Sequence, residues 1–191
     1  MIPQTLLVII FIIILTLFSY NKSNEIIYMT STNIDDPHHY LVRNLEDKQK
    51  AADLLSYANK QGIKLIEHLA KNYPDDVRII KLQKNYDPNS LSESSVDSEY
   101  TSYTVNKGER VILCLRNTDS SIIDKNTLMY VYIHELAHIM TKKIGHIDEF
   151  WENFKFILKE AQNINIYKYE DYSKFNKPYC GIKITNNILD E

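Results

Sequence analysis

Apolar residues recur at helical spacing in two stretches of the first half of the chain. Within residues 45–73 they follow the period of one buried helix face, which predicts a long helix. This helix is expected to end at Tyr73, because a residue that precedes proline disfavours the α region. A second, short helix is predicted around residues 76–83, after the proline turn.

Two further helices are predicted in the second half of the chain. Residues 126–143 are apolar on most sides, which is typical of a buried helix. Asp124 stands just before them and is expected to cap the first turn. Another helix is predicted to begin near Asp148, where large apolar residues again recur on one face.

Short strands are predicted on either side of a tight turn. β-branched and aromatic residues at 102–105 and 110–115 flank an Asn-Lys-Gly sequence at 106–108, which is typical of a β-hairpin. A further short strand is predicted at residues 26–30, whereas residues 87–100 are rich in Ser and Asp and are typical of a loop. The pattern predicts an α+β fold with a small antiparallel sheet.

The N-terminal segment differs in composition from the rest of the chain. Residues 5–20 are almost wholly apolar, and no charged side chain precedes Lys22, so the segment just reaches the roughly 20 residues that span a bilayer. We expect a retained transmembrane anchor over residues 1–22, a tether over 23–36 and one domain over 37–191. The alternatives are a cleaved signal peptide, although a basic start and a small-residue cleavage site are lacking, and a buried helix.

Charge and cysteine content narrow the function classes. The net charge is −3, and Lys and Arg are scattered, whereas nucleic-acid binding requires a basic face; we therefore expect no nucleic-acid partner. The two cysteines, Cys114 and Cys180, form no CxxC pair. They could form one disulfide, but we expect two buried, reduced thiols, because free cysteine is among the most buried residue types.

The sequence HELAH at residues 134–138 carries the strongest chemical signal. Residues four apart on a helix share a face, so His134 and His138 can bind one metal ion. Glu135 then flanks the metal, where it can accept a proton from a bound water molecule. Zinc (Zn2+) lowers the pKa of such a water to about 7. We therefore predict a zinc site in which Glu135 is the general base.

The third zinc ligand is expected from outside this helix, because catalytic zinc normally takes three protein ligands. His146 is the best candidate, since Gly145 permits a left-handed turn that swings His146 back towards the metal. The alternatives are acidic residues of the following segment, Asp148, Glu149 and Glu152. The remaining histidines are expected to be solvated or packed: His38, His39 and His68.

The segments HELAH and GHIDEFW resemble the WLM and SprT-like zinc metallopeptidases. His146, Phe150 and Trp151 match the third histidine of those relatives and its continuation, although the interval before this histidine is longer here. The stretches YLVRNLEDKQKAADLL, YTSYTVNKGERVILCLR and YCGIKITNN, together with the HELAH region, are similar to a family of WLM-like metallopeptidases from giant DNA viruses. Members of that family often carry an N-terminal hydrophobic segment. The resemblance implies a zincin fold and brings no known substrate.

The resemblance also suggests where a substrate binds. In zincin peptidases an edge strand beside the active-site helix pairs with the extended substrate, and the hairpin at residues 101–116 is the candidate here. An oxyanion stabiliser is needed as well, and Tyr179 is a candidate for that role. Tyr103, in the hairpin, is a second candidate for substrate binding.

These features together predict a membrane-anchored, zinc-dependent metallopeptidase with a zincin-like α+β fold. Its substrate is expected to be a peptide or protein, and its location a host or virion membrane if the chain is viral. One alternative is a catalytically inactive zincin-fold membrane protein with a structural or interaction role. Another is proteolysis of DNA-bound proteins, which the scattered basic residues and the apolar N-terminus disfavour.

Overall fold

The computed structural model describes residues 4–23 and 25–190, with the side chains of 4–17 and 25–190. Within these residues it contains five α-helices and seven strands, which form two sheets. In chain order the elements are α1 (Gln4–Ser23), β1 (Ile26–Thr30), β2 (His39–Arg43), α2 (Lys48–Asn72), α3 (Val77–Asn85), β3 (Leu91–Glu93), β4 (Tyr103–Val105), β5 (Arg110–Leu113), α4 (Lys125–Met140), α5 (Asp148–Asn163), β6 (Lys177–Tyr179) and β7 (Ile182–Ile184).

The main sheet has five strands in the order β1-β2-β3-β5-β4. Its outer pairs, β1 with β2 and β4 with β5, are antiparallel, whereas its inner pairs, β2 with β3 and β3 with β5, are parallel. The α+β class is therefore confirmed, but the prediction of an antiparallel sheet is wrong for its centre. The chain leaves β2, runs through α2 and α3, and enters β3 in the same direction, which is the kind of connection that parallel pairing requires.

The predicted hairpin and the predicted first strand lie at opposite edges of this sheet. In the hairpin turn Asn106, Lys107 and Gly108 all adopt positive φ angles. Gly108 is required there, because a Cβ atom would lie 2.4 Å from the backbone oxygen of Asn85. Strand β1 pairs with β2 along its whole length, so residues 23–36, predicted as a tether, contribute an edge strand to the sheet.

Helix α1 occupies most of the segment for which the sequence predicts a transmembrane anchor. Within residues 4–23 and 25–190, no helix combines the length and the apolar character that crossing a bilayer requires. The predicted anchor over residues 1–22, of which 1–3 lie outside the described residues, is therefore not supported. The signal-peptide alternative and the single-pass membrane location stay predictions.

Helix α4 is buried on most sides, as predicted, by contacts with α2, α3, α5 and β4. The carboxylate of Asp124 caps it by accepting hydrogen bonds from the backbone N–H groups of Asn126 and Thr127, at 3.1 and 3.0 Å. Helix α2 approaches α4 closely at Gly62, where a Cβ atom would lie 2.6 Å from the Tyr132 hydroxyl oxygen. A side chain at this position would therefore push the two helices apart.

The four helices that periodicity predicts, α2 to α5, are confirmed with small shifts at their ends. Helix α4 ends at Met140, three residues before the predicted 143, because Thr141 adopts an extended conformation. The hydroxyl of Thr141 donates a hydrogen bond of 2.8 Å to the backbone oxygen of Ala137, which also accepts one of 3.0 Å from the backbone N–H of Thr141. The chain therefore leaves the helical conformation four residues before Gly145.

Cys114 and Cys180 form a disulfide bond, so the expectation of two reduced thiols is wrong. Their Cα atoms are 6.4 Å apart, within the usual range for a disulfide. Cys114 follows β5, and Cys180 lies in the turn between β6 and β7. The bond therefore ties the C-terminal hairpin to the end of the main sheet beside β4, an arrangement that two cysteines 66 residues apart do not reveal in sequence.

We expect the disulfide to contribute substantially to stability, because it closes a loop of 66 residues in the unfolded chain. Reduction should lower the free energy of unfolding by roughly 2–4 kcal/mol and the thermal midpoint by about 5–15 °C. Calorimetry with and without a reductant measures the shift. The double variant Cys114→Ser/Cys180→Ser is the control and should not respond to reductant. If the wild type had the same thermal midpoint with and without reductant, and two titratable thiols before reduction, the disulfide would be contradicted.

Candidate metal centre

Three histidine side chains converge at the C-terminal end of α4. His134 and His138 lie one turn apart on this helix, and His146 comes from the loop that joins α4 to α5. Nε2 of His146 lies 3.1 Å from Nε2 of His138 and 3.1 Å from Nε2 of His134. The ligand atoms of all three lie within 4.8 Å of one another, so the cluster is positioned to bind a metal ion.

The loop between α4 and α5 is held so that His146 faces the helix. Gly145 adopts a φ of +93°, in the left-handed region that favours glycine. The indole Nε1 of Trp151 donates a hydrogen bond of 3.1 Å to the backbone oxygen of His146. From the β4–β5 turn, Nζ of Lys107 donates to the backbone oxygen of Lys143 at 2.6 Å. The loop is therefore fixed from both sides of the cluster.

Aromatic side chains of α5 pack against the imidazole rings. The ring of Phe150 stacks on His138, with centroids 4.3 Å apart, and meets His134 edge-on at 4.8 Å. Trp151 lies 5.3 Å from the ring of His146. The Phe and Trp that follow the third histidine in the sequence thus surround the three rings and restrict their orientation.

Burial keeps the three imidazoles unprotonated at neutral pH. Burial, together with the neighbouring His138 and His146, lowers the pKa of His134 to about 3. Burial, together with His146 and Lys107, lowers the pKa of His138 to about 4. Burial also lowers the pKa of His146. A neutral imidazole has a nitrogen lone pair available, so the cluster offers metal-binding atoms without first losing protons.

The competing candidates lie outside this cluster. Among the described residues the three histidines form the one group of three or more potential ligands, and Asp148, Glu149 and Glu152 do not join it. Glu149 instead accepts a hydrogen bond of 3.2 Å from a backbone N–H. The other histidines also lie outside the cluster. His38 and His68 contact the carboxylates of Asp36, at 2.6 Å, and Glu160, at 2.8 Å. His39 is the first residue of β2.

Glu135 lies one residue after the first histidine and is 3% exposed. Its Oε2 atom accepts a hydrogen bond of 2.8 Å from the hydroxyl of Thr104, on β4. Burial raises the pKa of Glu135 from 4.5 to about 7, and the hydrogen bond from Thr104 opposes part of this rise. A carboxyl group with a pKa near neutrality can accept and release protons efficiently at pH 7.

Thr104 contacts Glu135 directly, and it is not predicted from the sequence as a site residue. It lies in the predicted hairpin, but threonine is common in strands and nothing in its neighbours marks it. The signal that could have found it is geometric, because an edge strand beside the HELAH helix must present alternate side chains to that helix. Its hydroxyl fixes one carboxylate oxygen of Glu135, and therefore the orientation of the whole group.

The two tyrosines predicted for substrate binding lie in different surroundings. Tyr103 lines an open cleft beside Glu135, His138 and His146. Tyr179 is 1% exposed, and its hydroxyl donates to the backbone oxygen of Cys114 at 3.1 Å. The structure therefore brings Tyr103 to the cleft and leaves Tyr179 in the core, where its hydroxyl is engaged.

Comparisons with known proteins agree with the resemblance read from the sequence. The model of the WLM domain matches residues 44–187. An uncharacterized protein of Acanthamoeba polyphaga mimivirus is 36% identical over 155 residues, which cover 78% of this chain and 79% of that protein. An uncharacterized protein of Invertebrate iridescent virus 3 is 37% identical over 99 residues, or 50% of this chain and 59% of its own length. The expected likeness to WLM-type proteins of giant viruses is confirmed.

One solved structure was also found. It is Wss1 from Saccharomyces cerevisiae, which is 19% identical, covers 65% of this chain and 87% of its own, and superposes with a TM-score of 0.49.

Because Glu135 is buried, the free energy of unfolding of the metal-free protein is expected to depend on pH. Its folded pKa of about 7 exceeds the unfolded value of 4.5, so the folded state holds the proton more tightly and loses stability as pH rises from 4.5 through 7. The variant Glu135→Gln carries no such charge. At pH 8, with a chelator present, we expect it to be about 3 kcal/mol more stable than the wild type.

Chemical denaturation of both proteins at several pH values measures this difference. It should grow between pH 4.5 and 7 and level off above 7. A difference that does not change with pH would show that Glu135 titrates in the folded protein as it does in water.

Proposed function

The chain belongs to the WLM domain family, and from this premise we propose that it is a zinc-dependent metallopeptidase that hydrolyses peptide bonds in protein substrates. The observation that carries the proposal is the juxtaposition of three neutral imidazoles with a buried carboxyl group of raised pKa. In this proposal His134, His138 and His146 hold the metal, and Glu135 is the general base. The mixed sheet with β4 beside the HELAH helix supports a zincin-type fold.

The spacing of the imidazole nitrogens supports zinc as the ion. Nitrogen ligands lie about 2.0–2.1 Å from zinc in a tetrahedral site, which places any two of them about 3.3 Å apart. The two Nε2 separations of 3.1 Å around His146 are close to this value. Three histidines also leave the fourth tetrahedral position open, as in catalytic rather than structural zinc sites.

The role of Glu135 follows from its position and its pKa. When bound, zinc supplies Lewis-acid polarisation of a water molecule and of a substrate carbonyl. Thr104 occupies Oε2 of Glu135, so the other carboxylate oxygen, Oε1, is the one left to accept a proton from the attacking water. The same oxygen can then deliver that proton to the leaving amine, because a group with a pKa near 7 releases it readily.

Strand β4 is suited to hold the substrate backbone. It is the last strand of the main sheet, and within the described residues its outer edge has no strand partner. An extended peptide that pairs with this edge would run alongside α4 and past the three histidines. Thr104 lies on the same strand, so the element that receives the substrate is also the one that orients Glu135.

We expect Glu135→Gln to lower proteolysis strongly while leaving the metal site intact. Loss of a general base lowers turnover by about 100- to 10,000-fold, and the amide keeps the size of the carboxylate. The assay is cleavage of fluorescently labelled denatured casein by the zinc-loaded protein, with bound zinc measured in parallel. The matched control is Glu67→Gln, at an exposed position of α2, which should retain full activity. Equal cleavage by the wild type and Glu135→Gln would contradict the proposed role.

We expect the hydroxyl of Thr104 to be needed for turnover rather than for substrate affinity. Thr104→Val keeps the shape of the side chain but removes the hydrogen bond to Glu135, and the misplaced carboxylate should lower kcat by about 10- to 100-fold with little change in KM. Thr104→Ser retains a hydroxyl and should restore most of the rate. Steady-state kinetics on one peptide substrate measures both constants. An equal loss in the Val and Ser variants would indicate a packing role instead.

A further inference from the structure

A cleft opens between the β4–β5 hairpin and the loop that carries His146. Its volume is about 370 Å³, and its lining includes Glu135, its hydrogen-bond partner Thr104, and two of the three clustered histidines, His138 and His146. Whatever occupies the cleft therefore lies directly beside the reacting groups. On the hairpin side it is bounded by Tyr103, and on the loop side by Ile144.

Most of the surface that the cleft walls present is apolar, and some of these apolar side chains are exposed to solvent. Ile144 is 89% exposed and Tyr100 is 62% exposed, although both are large apolar or aromatic side chains. The ring of Tyr100 packs on that of Tyr103, with centroids 5.8 Å apart. The described part of the chain places no other segment over these side chains. Such a patch, rimmed by polar groups, is typical of a surface that binds a partner.

The charged groups that line the cleft are already engaged. Nζ of Lys107 donates to the backbone oxygens of His138 at 3.2 Å and Lys143 at 2.6 Å, and burial lowers the pKa of Lys107. Glu135 accepts the hydrogen bond from Thr104. Lys107 and Glu135 are therefore already hydrogen-bonded, and neither side chain is left free to form an ion pair with a charged side chain that enters the cleft.

Resting on the proposed function, we propose that the cleft binds a large apolar side chain of an extended peptide, next to the scissile bond. The backbone of the peptide lies along the outer edge of β4, and the side chain enters between Tyr103 and Ile144. The protein thus selects substrates with leucine or an aromatic residue at this position and rejects those with a charged one. The occupant is a segment of unfolded or extended protein, because the edge of β4 is available to backbone pairing only from an extended chain.

The expected difference in dissociation constant between apolar and charged peptides follows from the burial of one side chain. Full burial of a leucine or phenylalanine side chain, compared with leaving it in water, changes a dissociation constant by about 10- to 100-fold. A charged residue at the same position loses this gain and also loses hydration without acquiring a partner. We therefore expect the dissociation constants of the two kinds of peptide to differ by about this factor.

The experiment separates binding from turnover. Cleavage sites of the zinc-loaded wild type in denatured casein, mapped by mass spectrometry, first define the position. Fluorescein-labelled peptides that differ only there, with Leu, Phe, Ala, Asp or Lys, are then titrated with zinc-loaded Glu135→Gln, and anisotropy gives each Kd. If no cleavage site is found, each residue is instead placed in turn along a polyalanine-based peptide. The expected result is about 10- to 100-fold tighter binding of the Leu and Phe peptides than of the Asp and Lys peptides.

Two variants locate the selectivity in the cleft. Ile144→Asp should reduce several-fold the ratio of the Kd values of the charged peptides to those of the apolar peptides. The control, Ile34→Asp, lies outside the cleft at a position that is 98% exposed and should leave this ratio unchanged. Bound zinc is measured in each variant, since Ile144 is close to His146 in sequence. Equal Kd values for all peptides, or a ratio that Ile144→Asp does not alter, would overturn the proposal. Selective binding without cleavage by the wild type would support the cleft and contradict the peptidase function, so the two failures are distinguishable.

Discussion

The structure depends on placing three unprotonated imidazoles and one buried carboxyl group at the same end of a buried helix. Polar groups in such surroundings cost free energy unless they are hydrogen-bonded or bound to a metal ion. The Nε2 atoms of His134 and His138 each lie 3.1 Å from that of His146, and a metal ion bound between the three rings would offset this cost. Metal binding, as proposed above, would therefore account for a polar cluster in these surroundings.

Each neighbouring element contributes a restraint to this cluster. Helix α4 supplies two histidines and Glu135, and Gly62 lets α2 approach closely behind it. Helix α5 surrounds the rings with Phe150 and Trp151, and the β4–β5 hairpin reaches the site with two side chains. Thr104 of that hairpin orients Glu135, and Lys107 holds the loop that carries the third histidine. The disulfide joins the C-terminal hairpin, β6–β7, to the end of β5, the strand that pairs with β4.

The parts predictable from sequence are those in which local pattern and final structure coincide. The amphipathic helices, the cap at Asp124 and the Asn-Lys-Gly hairpin turn all depend on neighbours in the chain. The parallel centre of the sheet is not predictable from the sequence, because β3 is three residues long and its sequence, Leu-Ser-Glu, has a single apolar residue. The contact between Thr104 and Glu135 joins residues 31 apart, and the disulfide joins residues 66 apart. Such long-range pairs become visible only when the chain is folded.

The central claim is that His134, His138 and His146 together hold one zinc ion. Elemental mass spectrometry of the purified chain, after exposure to zinc and removal of the excess, tests it most directly. The account predicts about one zinc per chain, lost or strongly weakened in His146→Ala and retained in His68→Ala, whose histidine pairs with Glu160 outside the cluster. A folded chain that binds no zinc, or that binds it equally well without His146, would contradict the account.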